Sequence, residues 1–158
     1  MVTPWVESAP LAILVVEEGG LIGDRAERMR RGGRALHVLR QNRDEDPESF
    51  ARRCRAKLRE LEDEGARIDE AALIGGGVRR RARTLSRAAL LRALLGPMVR
   101  RGEGRLILTG READRRVMES LAEIVGAQIA DGIEIYADFD EPSKAERTSD
   151  DRARMARP

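Results

Sequence analysis

The residues best suited to chemistry lie in one stretch, "LIGGGVRRRARTLSRA", Leu73 to Ala88. Three glycines, Gly75, Gly76 and Gly77, separate an apolar run from the start of a helix. Glycine lets backbone N–H groups approach a ligand closely, and a helix start offers free N–H groups and a positive dipole end. Arg79, Arg80, Arg81, Arg83 and Arg87 could add charge-assisted bonds to phosphate, and Thr84 and Ser86 could supply hydroxyl donors. The candidate ligand contacts are therefore Gly75, Gly76, Gly77, Arg79, Arg80, Arg81, Arg83, Thr84 and Ser86. The spacing does not make a P-loop, because no lysine follows the glycines. It fails the dinucleotide fingerprint as well, because Arg80 stands where a third glycine belongs. A solvated, glycine-rich connection is the competing reading.

Outside this stretch the chemistry thins. His37 is the sole histidine and sits in a predicted strand, with no oriented partner for work as a base. Cys54 is the sole cysteine and falls on the apolar stripe of a predicted helix, which reads as core. No nucleophile elbow surrounds Ser86 or Cys54. A lone histidine and a lone cysteine cannot build a nitrogen- or sulfur-ligated metal site. Only carboxylates remain, Glu17 and Glu18 after the first strand and Asp138, Asp140 and Glu141 after the last, and these would suit magnesium. The sequence assigns no catalytic residue and no metal ligand.

These residues need a scaffold. "LAILVV" (11–16) is a continuous apolar run, the signature of a strand buried on both faces of a parallel sheet. Residues 24–33 suggest a short helix, with Asp24 as its cap, although a strand at 21–30 is the alternative. In "RALHVLRQN" Leu36 and Val38 share one face, and Ala35, His37 and Leu39 the other. In "DPESFARRCRAKLRELEDEG", Asp46 caps, Pro47 opens and Gly65 closes a helix whose stripe is Phe50, Cys54, Leu58 and Leu61. "EAALIGGG" is a buried strand. The next helix should be capped by Thr84 or Ser86, bury Leu90, Leu91, Leu94, Leu95 and Met98, and bend or stop at Pro97. "RLILTG" follows as a strand. A helix with the stripe Val117, Leu121, Ile124, Val125 and Gln128 precedes the last strand, "IEIYADF".

Strands alternating with helices predict an α/β fold: a mostly parallel central sheet with helices on both faces, a Rossmann-like three-layer sandwich. One domain spans 11–139, between an N-terminal arm (1–10) and a charged, flexible tail (140–158) without apolar periodicity. With 158 residues, one core is expected. Aromatics make up only 3%, so stacking platforms for unpaired bases are scarce. The net charge of +2 gives little overall attraction to nucleic acid or membrane, so any such affinity must come from local arginine clusters. No apolar run is long enough for a membrane span, and the lone cysteine suits a reducing, cytoplasmic setting.

Two stretches carry a family resemblance. "RALHVLRQNRDEDPESFARRCRAKLRELEDEG" and "AALIGGGVRRRARTLSRAALLRALLGPMVRRGEGRLILTG" resemble the second strand and charged helix, then the glycine loop, helix and next strand, of universal stress proteins, over residues 34–110 or so. The resemblance implies a doubly wound fold, a homodimer and, in one branch of the family, ATP held by G-x-x-G, nine residues, G-[ST]. Here Val78 or Arg79 replaces the second glycine, Pro97 follows Gly96 where Ser or Thr is expected, and "EEGG" replaces the acidic turn after the first strand. The ATP motif is thus not intact, and the cofactor is left as an unspecified nucleotide. If residues 21–30 formed a strand, the arrangement would be similar to the middle domain of peptide-chain release factors, with Arg79–Arg83 on RNA. The sequence therefore predicts a non-catalytic regulatory or ligand-binding protein of universal-stress type. An RNA- or ribosome-associated module is the alternative, and a small phosphate-handling enzyme the third reading. "IEIY" is a candidate for pairing with a second copy if it lies on the sheet edge.

Overall fold

The computed structural model describes residues 10–31, 33–77, 81–129 and 132–139, with 81–85 described by backbone alone. The expected arm up to residue 9 and tail from 140, along with Arg79 and Arg80, lie outside the described residues.

Among the described residues five strands form one sheet: β1 (Pro10–Val16), β2 (Ala35–Arg40), β3 (Arg67–Ile74), β4 (Gly104–Thr109) and β5 (Ile133–Ala137). Every neighbouring pair is parallel, and the order across the sheet is β2-β1-β3-β4-β5. Parallel neighbours require crossovers, and helices supply them: α1 (Arg25–Met29), α2 (Pro47–Asp63), α3 (Arg81–Arg101) and α4 (Arg115–Gln128). The predicted three-layer α/β architecture is what the chain adopts. One apolar cluster joins Ile13, Val15, Leu73 and Leu108 of the sheet to Phe50, Cys54 and Leu58 of α2, Leu90 and Leu94 of α3, and Met118 of α4. A smaller cluster on the opposite face joins Ala12, Leu14, Val16, Ala72, Ile74 and Ile107 to Met29 of α1. The layering is uneven, with three helices on one face and the short α1 on the other.

Local sequence explains most element ends. The Asp46 carboxylate accepts from the N–H groups of Glu48 (2.8 Å) and Ser49 (3.2 Å), satisfying donors that the first turn of α2 leaves free. Gly65, at φ +90, lets the chain turn left-handed just after α2. Residues 25–29 are helical, which removes the strand that the release-factor arrangement needs. Asp24 stands at the head of α1 without capping it, because its carboxylate bonds Arg28 at 2.9 Å.

Two predicted details change. α3 begins at Arg81, so Thr84 and Ser86 are internal to it rather than its cap, and it continues through Pro97 to Arg101. In α4, Met118 and Ala122 are buried, while Val117 and Ile124 are 38% and 54% exposed. Leu121 and Val125 of the predicted stripe do pack against the main cluster, so the inward face overlaps the predicted one but centres on Met118 and Ala122, with α4 lying chiefly over β5.

Candidate functional site at the strand ends

The strand order reverses at β1: the chain steps to β2 on one side and to β3 on the other. In open parallel sheets such a reversal parts the loops beyond the strand ends and leaves a crevice. The described residues meeting there are 17–24 after β1, 75–77 after β3 and 110–114 after β4. They hold most of the glycines singled out from the sequence.

A buried ionic latch ties these loops together. Glu17, Arg87 and Asp114 are 3%, 5% and 4% exposed. Arg87, in the second turn of α3, donates to Glu17 through Nε (2.7 Å) and Nη2 (2.6 Å), and Nη2 also reaches Asp114 Oδ1 at 3.1 Å. This fork matches a guanidinium to a carboxylate at two points, which sets direction as well as distance. Burial alone would lower the pKa of Arg87. The Glu17 and Asp114 carboxylates outweigh it and raise the value, so the guanidinium stays charged. The latch fixes the head of α3 to the end of β1 and to the short 3-10 turn Glu112–Asp114 that precedes α4.

The latch also consumes donors expected for a ligand. Gly76 gives its N–H to Glu17 Oε1 at 3.0 Å, and Gly75 gives its own to the Thr109 carbonyl at 2.8 Å. The Glu17 carboxylate thus stands where the sequence reading placed an anion. Shape explains two of the three glycines instead. A Cβ on Gly75 would lie 2.6 Å from Asp114 Cγ, and one on Gly110 would lie 2.7 Å from Asp114 Oδ2. Gly77, at φ +79, turns left-handed under the Arg111 side chain, 2.7 Å from where its Cβ would be.

Arg111 is the candidate residue that the sequence reading missed. Its N–H donates to Asp114 Oδ2 (2.9 Å), and its Nε donates to the Gly19 carbonyl (2.8 Å), so backbone and side chain are both anchored. The Arg111 side chain reaches from the β4 loop to the β1 loop, over Gly77, and the residue is exposed to solvent. Among the described residues no carboxylate pairs with it. A single arginine after "LTG" has no motif around it, so only the fold could reveal its position. Gln41, buried after β2, completes the platform: its side chain accepts from Glu18 N–H at 3.0 Å and donates to the Glu45 carbonyl at 2.8 Å.

Of the other candidates, Arg81, Arg83, Thr84 and Ser86 occupy the first turns of α3 beside this crevice. Gly96 lies about 22 Å further along α3 at 1.5 Å per residue and faces α2, so the two halves of the ATP-type motif do not meet. His37 lies mid-strand in β2. Burial, then the charge of Lys57, lowers its pKa, leaving it neutral at pH 7. Asp138 bonds Arg25 at 2.9 Å, on the far side of the sheet from Glu17's latch partners. The acidic pairs considered for magnesium are therefore separated, and Glu17 and Asp138 are each engaged by an arginine. Among the described residues no cluster of three His, Cys, Asp or Glu could hold a metal, and Asp140 and Glu141 lie outside them. Among the same residues no helix is long and apolar enough to cross a membrane.

Cys54 is fully buried on α2, and burial pushes its thiol up to about 12 from an ordinary 9.0. The thiolate is the reactive form, so folded protein should not react with a thiol reagent at pH 8, whereas denatured protein should react at once. The sign of the linkage follows. Burying a neutral thiol supports the fold fully below pH 9.0, and that support is lost as pH rises toward 12, where the unfolded chain ionises first. Rapid labelling of the native protein would contradict the packing described.

No protein-family model matches this chain, and no curated protein and no solved structure matches it.

Proposed function

We propose that this protein is a non-catalytic regulatory or ligand-binding module that takes a phosphate-bearing ligand at the β1/β3 crevice. The observation that carries this reading is Arg111, held at two points over Gly77 with an exposed guanidinium at the switch in strand order. The crevice supplies further features that suit an anion. Arg87 and Arg111 offset the charges of Glu17 and Asp114 at its floor. The head of α3 opens beside it with Arg81, Arg83, Thr84 and Ser86 in its first turns. Binding without turnover fits the placement of His37 and Cys54, which the fold puts on β2 and inside the core, away from the crevice.

A thermal-shift series tests it. Inorganic phosphate, ADP and ATP should raise the melting temperature in a concentration-dependent way, and Arg111→Gln should weaken the nucleotide at least tenfold. ATP incubated with the protein should be recovered intact. A shift unchanged in Arg111→Gln would sink the placement, and stoichiometric release of phosphate would replace a binding protein with an enzyme.

A second reading, an RNA- or ribosome-associated module, draws on a different surface. A groove of about 350 Å³ between α2 and α3 is lined by Arg55, Arg59, Arg92 and Arg100 against Glu62 and Asp63. Of these arginines Arg100 is paired, with Glu62 at 2.7 Å, and the other three have no carboxylate partner among the described residues. RNA held in the groove would bind less tightly as salt rises, and Arg55→Gln with Arg59→Gln would remove that binding while leaving the nucleotide response intact.

A further inference from the structure

The open sheet has two margins, β2 and β5, and they are finished differently. In a parallel ladder each second residue turns both its N–H and its C=O toward the neighbouring strand, and those between turn both outward. In β2 the inward set includes Gln41, whose N–H reaches the Val16 carbonyl at 2.9 Å, so Arg40 faces outward. Its carbonyl is taken by Arg53, which donates from Nη2 at 2.6 Å and is itself held by Glu45. Charged side chains laid on a margin are a common guard against unwanted strand pairing.

β5 lacks this guard among the described residues. Asp138 N–H donates inward to the Leu108 carbonyl at 2.9 Å, which places Tyr136 and Glu134 in the inward set. Ile133, Ile135 and Ala137 therefore present their backbone N–H and C=O groups to the outside. The one charge on the strand, Glu134, is held by Arg105 of β4 at 3.1 Å.

We infer that β5 is a self-recognition edge, on which a second copy of this chain pairs antiparallel about a two-fold axis through Ile135. Three features select a second copy over an unrelated strand. With Ile135 on the axis, Ile133 of one copy meets Ala137 of the other, so each outward N–H and C=O finds its complement with no group left over. On one face, Glu134 meets Tyr136 of the second copy, a carboxylate beside a phenol donor, and Arg105 already balances its charge. Like charges are not brought together across the axis. On the other face the half-buried side chains of Ile133, Ile135 and Ala137, which pack against the main core cluster, continue across the axis into their counterparts. The sheet would then run unbroken from one copy to the next. A strand this short gives a modest contact, so the dimer should form and dissociate with concentration.

Light scattering on the full chain across a concentration series should move from 17.6 kDa toward twice that mass. Ile135→Pro removes an outward N–H and no bond to β4, so it should stay folded and remain a monomer. Hydrogen exchange on the unaltered protein gives an independent reading. At dimer concentrations the amides of Ile133, Ile135 and Ala137 should become protected, while those of Glu134, Tyr136 and Asp138 stay protected at every concentration. A mass that stays at one chain, a dimer that survives Ile135→Pro, or outward amides that exchange equally fast at all concentrations would each overturn the proposal. If the proline variant does not fold, the exchange pattern decides.

Discussion

Arg87→Ala should lower the unfolding free energy by about 3–5 kcal/mol, the largest loss expected of any polar substitution here. The reason is what the change leaves behind. Glu17 and Asp114 are 3% and 4% exposed, and without the guanidinium both buried carboxylates lose the cation that Arg87 supplies to them. Removing one partner of a buried ion pair strands the other charge out of water, which costs far more than the net worth of the intact pair. Equilibrium urea unfolding measures the loss directly. A triple variant, Glu17→Gln with Arg87→Met and Asp114→Asn, keeps similar volumes without charge and should recover much of it. That recovery separates an electrostatic penalty from lost packing by the Arg87 stem. A loss under about 1 kcal/mol, the range of an exposed surface pair, would mean that the latch is solvated.

Gly75→Ala should cost about 1–3 kcal/mol, the range for forcing an added methyl into a filled site. The new Cβ would lie 2.6 Å from Asp114 Cγ and 2.7 Å from its Oδ1. Asp114 cannot yield easily, since Arg87 holds one oxygen and the Arg111 N–H the other. Whatever displacement follows also loosens Arg111, so the same variant should weaken the nucleotide-induced thermal shift. Gly126→Ala is the contrasting control. It lies within α4, and an added methyl there would meet nothing within 4 Å, so alanine should stabilise the helix by roughly 0.5–1 kcal/mol through propensity. If both alanines behaved alike, close packing at Gly75 would not be the cause.

The contrast between the two glycines shows what could be read from sequence. Asp46, Pro47 and Gly65 announce the ends of α2 because the signals act within a few residues. The stripe Phe50, Cys54, Leu58 and Leu61 is legible for the same reason, as is the parallel sheet, since buried strands write themselves as apolar runs. The latch is of another kind. Glu17 and Arg87 are 70 positions apart, and Arg87 and Asp114 are 27 apart, so nothing local distinguishes them from the many charged residues around them. Arg87 reads in the sequence as one more phosphate-seeking arginine, yet the fold turns it inward. Gly75 and Gly76 read as a loop open to a ligand, yet their N–H groups close on Thr109 and Glu17. Arg111 is invisible in the sequence because its role depends on Gly19, 92 positions earlier. The stripe of α4 is only partly right, with Leu121 and Val125 turned to the core and Val117 and Ile124 exposed, because periodicity gives a helix face and the margin position of β5 decides how much of it is covered.

The sum is a sheet whose strand ends are closed from within by a buried latch and crossed from above by one anchored arginine. Amide chemical-shift mapping during a titration with ADP is the most direct check. Perturbations concentrated at Gly19, Gly77 and Arg111, and absent in Arg111→Gln, are the result this account predicts. Perturbations confined to the α2/α3 groove, or none at saturating ADP and phosphate, would contradict it.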